Sequence, residues 1–292
     1  MKVPVLLIAY RRPNETKKVL DRIREYYPDD LYVFVDSPIQ ADQDVEEVKQ
    51  LVEKKIYASN IHTNFQKVNL GCGLGPVAAI NWVLTHEKYA IILEDDCVPL
   101  DGFFDYMEWA LKIKEKDSKC FMVSGDKYSV LDFNTVVAKT KFSFTHGWGT
   151  WRDAWKDYDY NISYWNSSVK HNKNIIPIYA FRPHWSKIFN KIKNDNSKTY
   201  WDYQWQLHVW KNNGYSLQPP VNLIHNIGFN INATHTFNES DWRSKIPVTS
   251  IPVNFRDHNP KFSFLIEFQN TLIELGVVSF LSRIYLKVKN KF

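Results

Sequence analysis

Residues Tyr89–Asp96 read YAIILEDD, an apolar run that ends in charge. Its apolar part is typical of a strand that is buried on both faces of a parallel sheet. The strand ends abruptly in three carboxylates, Glu94, Asp95 and Asp96. Ligands of such sheets bind just beyond the carboxyl ends of the strands, and adjacent carboxylates repel one another unless a cation lies among them. The stretch therefore predicts an acidic ligand site, although a solvated strand end or a helix cap has the same pattern.

Strands and helices alternate regularly through the first 125 residues. Helices of 10–15 residues separate the predicted strands, which are Val3–Ala9, Leu31–Val35, Phe65–Leu70, the acidic stretch and Cys120–Ser124. This alternation indicates parallel βαβ units. We expect an α/β fold with an open, mostly parallel twisted sheet that is flanked by helices, and a smaller mixed region in the second half of the chain.

Polar groups follow each of the first four predicted strands. They are the segment Tyr10-Arg11-Arg12, Asp36, the turn Gly71-Cys72-Gly73 and the acidic triplet. Arginines or the backbone N–H groups of a turn that includes Gly73 bind phosphate or base, and carboxylates bind a ribose or a divalent cation. The pattern therefore predicts a site for a nucleotide diphosphate on a metal ion.

Two common nucleotide motifs are excluded by their spacing. The segment Gly71–Pro76, GCGLGP, lacks the spacing of a dinucleotide fingerprint and follows the third predicted strand, not the first. The pattern GxxxxGK[ST] of a P-loop is absent from the sequence. We therefore do not expect a dehydrogenase or a P-loop nucleotidase.

Composition points away from nucleic acid and toward sugars. The net charge of +5 is modest and the basic residues are spread along the chain, which is unlike a nucleic-acid binder. The 11 Trp, 16 Tyr and 18 Phe make up 15% of the chain. Some of these rings build core, but Trp and Tyr also form the flat surfaces on which sugar rings stack.

The cysteines and the hydropathy pattern indicate a cytoplasmic protein. Cys72, Cys97 and Cys120 are odd in number and lack metal-ligand spacing, so we expect free thiols in a reducing compartment. The first residues read as a strand and not as a signal peptide. No apolar run reaches the ~18 residues of a spanning helix.

The second half carries two aromatic motifs and a basic end. His146–Arg152, HGWGTWR, precedes Tyr200–Trp205, YWDYQW, which opens a predicted helix that ends at Asn212. The last segment, Phe262–Phe292, mixes an apolar helical stripe with basic residues. It is either an amphipathic helix that rests on an anionic membrane at its inner face or a terminal helix that docks on the core.

The order of these pieces resembles the inverting GT-A glycosyltransferases of the N-acetylglucosaminyltransferase I-like family. The most specific part is Leu93–Met107, LEDDCVPLDGFFDYM, and the opening Pro4–Pro13, PVLLIAYRRP, also fits. The resemblance implies a GT-A fold, with a nucleotide-sugar-binding half at residues 1–125 and an acceptor-side half of the same domain at 126–258. Residues 259–292 would then form a C-terminal amphipathic basic helix.

The resemblance also implies roles for the donor-side residues. Arg12 or Arg11, together with Asp36, would contact the nucleoside of a UDP-linked sugar. Asp96 would bind Mn²⁺ or Mg²⁺, while Asp95 approaches the ribose and Glu94 the donor sugar. A hard divalent cation with oxygen ligands would neutralise the leaving diphosphate.

On the acceptor side the resemblance implies a base in a Trp-Asp motif, here Trp201-Asp202. Asp202 would take the proton of the acceptor hydroxyl, and the flanking Trp201, Tyr203 and Trp205 would desolvate it or stack on sugar rings. The aromatic residues expected to contact the acceptor are Trp148, Trp201 and Tyr203. His235, in a late polar loop, is expected as a second metal or diphosphate ligand. Asp126 follows the next strand end and is expected on the acceptor side.

These inferences predict a metal-dependent inverting glycosyltransferase that builds a bacterial surface polysaccharide or lipooligosaccharide. Its partners are a nucleotide-diphosphate sugar and a glycan acceptor. One alternative is a sugar-1-phosphate nucleotidyltransferase, which shares the sheet, the metal and the diphosphate but needs a glycine-rich loop after strand one. Tyr10–Asn14 contains no glycine. The other alternative is a non-catalytic carbohydrate-binding domain.

Overall fold

The computed structural model describes residues 2–54, 56–115, 117–127, 136–166, 175–177, 179–195, 199–228, 255–256 and 259–276. Its strands are β1 Val5–Ala9, β2 Asp30–Val35, β3 Asn60–Phe65, β4 Tyr89–Glu94, β5 Cys97–Pro99, β6 Cys120–Ser124, β7 Ala138–Thr140, β8 Trp148–Trp151, β9 Tyr215–Gln218, β10 Ile224–Asn226 and β11 Lys261–Phe262. Its α-helices are α1 Pro13–Tyr26, α2 Gln43–Glu53, α3 Gly71–His86, α4 Phe103–Leu111, α5 Arg152–Trp155, α6 Arg182–Lys193, α7 Asp202–Lys211 and α8 Phe264–Glu274.

A nine-stranded sheet organises the described part of the chain. Its strand order is β11-β7-β9-β6-β8-β4-β1-β2-β3. The strands β1 to β4 are mutually parallel, β6 and β9 are parallel, and β8 runs antiparallel between β4 and β6. The expected α/β fold with a mostly parallel sheet flanked by helices is confirmed, and the order is compatible with a Rossmann-like topology.

Burial explains why these segments form strands and helices. The interiors of β1, β2 and β4 are almost fully buried, as expected for parallel strands that are covered on both faces. Helix α1 buries the stripe Val19, Leu20 and Ile23, which recurs at helical spacing. Strands and helices from both halves of the chain pack into the same core.

Aromatic residues account for much of the core. The largest fully buried side chains include Trp148, Trp165 and Trp205. A second cluster, beside the main core, is built mainly from the region between Phe142 and Trp210. A large part of the aromatic excess therefore fills the interior, where rings bury about 150–250 Å² each.

The third strand and the glycine turn differ from expectation. The predicted strand at Phe65–Leu70 is wrong, because β3 ends at Phe65 and the predicted glycine turn is the first turn of α3. The reason is a capping interaction: the Asp36 carboxylate accepts hydrogen bonds from the backbone N–H groups of Leu70 and Gly71 at 3.0 and 2.9 Å. This satisfies two of the amides that a helix start leaves without partners.

The second half contains short strands that the sequence pattern missed. The sequence of Val136–Thr145 indicates a strand or hairpin, but this region forms only β7, and the sequence pattern does not predict β8 or β9. The run Val221–Ile224 also indicates a strand, but β10 begins only at Ile224. Strands of three or four residues carry too few positions for a periodic pattern.

A two-stranded ribbon lies beside the main sheet. Strand β5 follows the acidic triplet directly and pairs antiparallel with β10, so that Cys97 faces Asn226. The backbone N–H of Ile227 donates to the Asp96 carbonyl at 2.9 Å. The ribbon therefore ties the chain near residue 228 to the end of β4.

One end of the main sheet is held by an ion pair. The Asp117 carboxylate accepts hydrogen bonds from Tyr215 Oη at 2.7 Å and Lys139 Nζ at 2.9 Å. Burial raises the pKa of Asp117, but these two hydrogen bonds outweigh it and lower the pKa to about 2.

The described C-terminal segment docks on the sheet. Strand β11 pairs with β7, and buried Asn270 of α8 donates to Thr140 Oγ1 at 3.0 Å and Gln218 Oε1 at 3.1 Å. The described residues 261–276 therefore pack against the sheet. The basic residues that suggested membrane contact, from Arg283 onward, lie outside the described residues. In the described part of the chain, no helix is long and apolar enough to cross a membrane.

Candidate active site

The acidic triplet lies where the chain reverses its direction of travel through the sheet. The chain runs from β1 outward to β2 and β3, and β4 then returns to the other side of β1. The carboxyl ends of β1 and β4 are therefore neighbours at a topological switch point. Open α/β sheets bind their ligands in the crevice at this position.

Arg12 is the cation among the carboxylates. Its Nη2 lies 2.5 Å from Asp95 Oδ1 and its Nη1 lies 2.8 Å from Asp96 Oδ2. Asp95 also accepts a hydrogen bond from the backbone N–H of Tyr10 at 3.1 Å. The Asp95 side chain is only 3% exposed. The end of β1 therefore binds the end of β4 through one guanidinium and one backbone amide.

The cluster carries more negative than positive charge. Burial and the charge of Asp96 raise the pKa of Glu94. Burial also raises the pKa of Asp95, although the Arg12 guanidinium opposes this shift. One guanidinium does not compensate three partly or fully buried carboxylates, so a further cation would be stabilised here.

The residues fit a divalent cation as a partial ligand set. Asp96 offers a carboxylate that is 13% exposed, of which Oδ2 contacts Arg12 and Oδ1 lies 3.3 Å from Cys97 Sγ. Within the described ranges, no group of three His, Cys, Asp or Glu side chains could hold a metal. Asp96 could supply one oxygen to Mn²⁺ or Mg²⁺, and donor phosphates and waters would have to supply the others.

Gly228 closes one side of the cluster. A methyl group in place of its hydrogen would lie 2.0 Å from Asp96 Oδ2 and 3.0 Å from Arg12 Nη1, so only glycine allows this approach. The segment that follows includes His235, which lies outside the described residues. The ligand role of His235 stays a prediction.

The other donor-side residues are placed around this centre in different ways. Asp36 is 8% exposed and its carboxylate binds backbone amides at the start of α3. Gly73 is buried within the first turn of that helix. Arg11 is exposed, with its guanidinium 5.7 Å from the Tyr10 ring centre. Arg12 therefore lies within the cluster, and Arg11 beside it is open to solvent.

A histidine and an aspartate face the cluster from the neighbouring strands. His146 Nδ1 lies 3.0 Å from Asp126 Oδ2, with side chains that are 29% and 2% exposed. His146 precedes β8 and Asp126 follows β6. Because β8 runs antiparallel between β4 and β6, its start lies at the same edge as their ends. The charges of Glu94 and Asp96 act on His146 at this edge.

Two glycines bring this pair together. The backbone N–H of Gly125 donates to the Gly147 carbonyl at 2.7 Å. A methyl group at Gly125 would lie 2.3 Å from that carbonyl oxygen. Gly147 adopts a φ of +60° and a methyl group there would lie 2.3 Å from Ile224 Cδ1. Side chains at either position would push the two strand ends apart.

The predicted base stands at the start of α7. Asp202 is half-buried and is the first residue of the helix, where the helix dipole favours a carboxylate. The preceding Trp201 is 6% exposed and its ring stacks on Trp148 at 5.7 Å. Its carbonyl accepts a hydrogen bond from Tyr158 Oη at 2.8 Å.

The approach to α7 reaches the same edge of the sheet. Thr199 contributes a carbonyl 3.6 Å from Cys72 Sγ in the first turn of α3. Burial raises the pKa of the Cys72 thiol, and the charges of Glu94 and Asp36 add to this shift. Thr199, three residues before α7, therefore lies beside the first turn of α3.

Trp148 does not present a ring to an acceptor. It is fully buried, and its ring contacts Trp155, Trp201 and Trp205, because both faces of β8 are covered. Trp201 belongs to the same buried group. Tyr203 is half-buried and packs near Tyr200 at 5.8 Å. Of the three predicted aromatic platforms, only Tyr203 keeps substantial exposure.

His146 is the residue whose importance the sequence pattern understated. The available signal was its position directly before Gly147-Trp148, together with an aspartate after another predicted strand end. That signal is weak, because nothing in the sequence shows that β8 is inserted between β4 and β6. Models of known protein families gave no match to this chain, and a search of curated proteins found no similar sequence.

Proposed function

We propose that this chain is an inverting, divalent-metal-dependent glycosyltransferase of the GT-A type. It would transfer a sugar from a nucleotide diphosphate, with UDP as the first candidate, to a glycan acceptor. The observation that carries the proposal is the buried acidic triplet at the switch point between β1 and β4, which the Arg12 guanidinium pairs with in the described part of the chain. A site with this surplus of negative charge favours a metal-bound diphosphate over a free anion.

Transfer with inversion needs a base opposite the leaving group. Asp202 would take the proton from the acceptor hydroxyl as its oxygen bonds to the anomeric carbon of the sugar. The bond from that carbon to the diphosphate breaks, and the electron pair leaves with the diphosphate. The position of Asp202 at the start of α7, directly after the buried Trp201 and three residues after Thr199 at the sheet edge, supports this role.

Asp96 would hold the metal, and Arg12 would stay close to the diphosphate as a second positive charge. When bound, Mn²⁺ or Mg²⁺ supplies Lewis-acid stabilisation of the leaving group. Asp95 is held in place by Arg12 and the backbone amide of Tyr10. Its carboxylate would lie near the ribose of the bound nucleotide. Glu94 would face the transferred sugar.

The decisive experiment is calorimetric titration of UDP, GDP and CMP donors with and without Mn²⁺. We expect one donor class to bind only with the metal, and the proposal fails if none does. Asp96→Asn should remove the metal-dependent binding. Asp101→Asn is the matched control, because Asp101 is 87% exposed and pairs with Arg22 at the surface.

The base assignment needs a separate variant. Asp202→Asn should retain donor binding and lower transfer by roughly 10²- to 10⁴-fold, the usual contribution of a general base. Loss of donor binding in this variant would contradict the assignment. Donor hydrolysis would also distinguish a transferase from a non-catalytic carbohydrate-binding domain, and formation of a nucleotide sugar from a sugar 1-phosphate would identify a nucleotidyltransferase.

The setting of the reaction follows from the same proposal. We place it in bacterial surface polysaccharide or lipooligosaccharide synthesis, in the cytoplasm and with peripheral contact at the inner membrane face. Among the described cysteines Cys97 and Cys120 are buried free thiols and Cys72 is a half-buried one, which supports a reducing compartment. The exposed Phe264, at 82%, and Phe268, at 51%, offer apolar surface next to the basic C-terminal sequence.

A further inference from the structure

We propose that His146, oriented by Asp126, binds a hydroxyl group of the transferred sugar and forms the donor-sugar subsite together with Glu94. This inference rests on the proposed function, because it names the ligand of one part of the same site. It assigns Asp126 to the donor side, where it acts through His146, and not to the acceptor side where the sequence pattern put it.

Burial shows which of the two residues reaches a ligand. Asp126 is 2% exposed, whereas the His146 side chain is 29% exposed. Asp126 binds the ring at Nδ1, so the opposite edge of the imidazole, which carries Nε2, is the edge that faces away from the aspartate. Asp126 is therefore a positioning residue, and His146 is the residue that contacts the ligand.

Charge indicates the chemical class of that ligand. The groups that face His146 are Asp126 from the end of β6 and Glu94 and Asp96 from the end of β4. Strand β8 pairs with β4 in a register that sets Trp148 opposite Ile92, and continuing this antiparallel register by two residues brings His146 opposite Glu94. The three carboxylates around this imidazole repel a phosphate, whereas carboxylates accept hydrogen bonds from a neutral hydroxyl.

A hydroxyl suits His146 in either protonation state. A neutral ring that donates from Nδ1 accepts at Nε2, and a protonated ring donates there, while a hydroxyl both donates and accepts. The Asp126 Oδ1 atom is buried and has no hydrogen-bond partner among the described residues. The pair is thus a rigid polar group that is built into the sheet edge by Gly125 and Gly147 and faces the acidic cluster.

Two substitutions separate contact from structure. In His146→Asn the amide reaches only the Nδ1 position, so Asp126 keeps a partner but the outward contact is lost. In His146→Gln the amide reaches the Nε2 position and partly restores that contact. Both leave the Arg12–Asp96 centre untouched.

For each protein the experiment compares the affinity for a nucleotide sugar with the affinity for its free nucleotide diphosphate, by calorimetry in the presence of Mn²⁺. The nucleotide sugars are UDP-glucose, UDP-galactose, UDP-N-acetylglucosamine and GDP-mannose. In His146→Asn we expect affinity for the bound nucleotide sugar to fall about 10- to 100-fold, as for a lost charged hydrogen bond. Affinity for the free diphosphate should change less than about 3-fold. The affinity of His146→Gln for the nucleotide sugar should lie between the affinities of the wild-type protein and of His146→Asn.

The outcomes separate this inference from the proposed function. If the wild-type protein binds no probe with the metal, the proposed function fails. If it binds, but His146→Asn weakens sugar nucleotide and free diphosphate equally or weakens neither, only the inference is overturned. Asp126→Asn in the His146→Asn background should add no further loss of sugar-nucleotide affinity, because the aspartate acts through the histidine. An additive loss would assign Asp126 its own ligand contact.

Discussion

Replacing Arg12 by methionine tests whether the acidic triplet is a buried cluster or a solvated strand end. The substitution keeps an apolar stem of similar length and removes the guanidinium. Arg12 is 20% exposed, and its partners Asp95 and Asp96 are 3% and 13% exposed. Breaking a buried ion pair by removing one partner costs about 3–5 kcal/mol. Because two carboxylates lose their partner at once, we expect about 4–5 kcal/mol, close to half of a typical domain stability.

Arg22→Met is the matched control. Arg22 is a residue of α1, the helix that Arg12 precedes, and also forms two ion pairs, but its partners Glu25 and Asp101 are 61% and 87% exposed. Exposed pairs contribute about 0–1 kcal/mol, so this variant should lose less than about 1 kcal/mol. Urea denaturation followed by tryptophan fluorescence, at pH 7.5 and low salt, measures both variants against the wild-type protein.

The cost of Arg12→Met should depend on pH. In the folded protein Arg12 lowers the pKa of Asp95 against the larger effect of burial. Its stabilising contribution is therefore present when the carboxylate is ionised and is lost as the pH falls and the group binds a proton. We expect a smaller difference from the wild type at pH 5 than at pH 7.5. A loss below about 1 kcal/mol at pH 7.5, equal to that of Arg22→Met, would refute the buried cluster.

Four further substitutions test the fold. Gly125→Ala should cost about 1–3 kcal/mol in urea denaturation, because its methyl group would meet a backbone oxygen at 2.3 Å. Gly75 lies inside α3, and a methyl group there would have no neighbour closer than 3.6 Å. Gly75→Ala should therefore stabilise the protein by about 0.5–1 kcal/mol. Equal changes in stability for the two glycine substitutions would contradict the packing described. Asp117→Asn should lower the thermal midpoint at pH 7, and this difference from the wild type should vanish between about pH 4 and 2. The reason is that a depressed pKa contributes stability that is lost as the pH falls through it. A difference in thermal midpoint that does not depend on pH would exclude this ion pair. Asn270→Leu removes two buried hydrogen bonds, so it should release α8 and speed proteolysis after residue 260 while the core stays folded. Proteolysis at the wild-type rate would show that these hydrogen bonds do not hold the helix.

Local pattern predicted the first half of the fold well. Four of the five strands predicted there are present. Strands that are covered on both faces are apolar runs in the sequence, and such runs are recognisable without knowing which strands pair. The exception is β3, whose alternating polar residues at the sheet edge carry little apolar signal. The residue that set its end was Asp36, which binds the start of α3 across 34 positions of sequence.

The site was predicted in part for the same reason. Arg12 and the triplet were expected at one edge, and the structure brings them into contact. Trp148 was expected to contact an acceptor and is in the core, because burial of an aromatic residue depends on which strands pair with its own. The role of Asp202 as a base stays a prediction.

Residues that are neighbours in the chain were enough to predict that Tyr89–Asp96 is a buried strand followed by acidic side chains, because an apolar run and an abrupt change to charge are local properties. What compensates that charge, and what surrounds it, follows from how the strands pair. The insertion of β8 between β4 and β6 places His146 and Asp126 at the acidic edge, and the pairing of β1 with β4 makes Arg12 the counter-ion. Such contacts depend on strand order, which is a non-local choice of the whole chain.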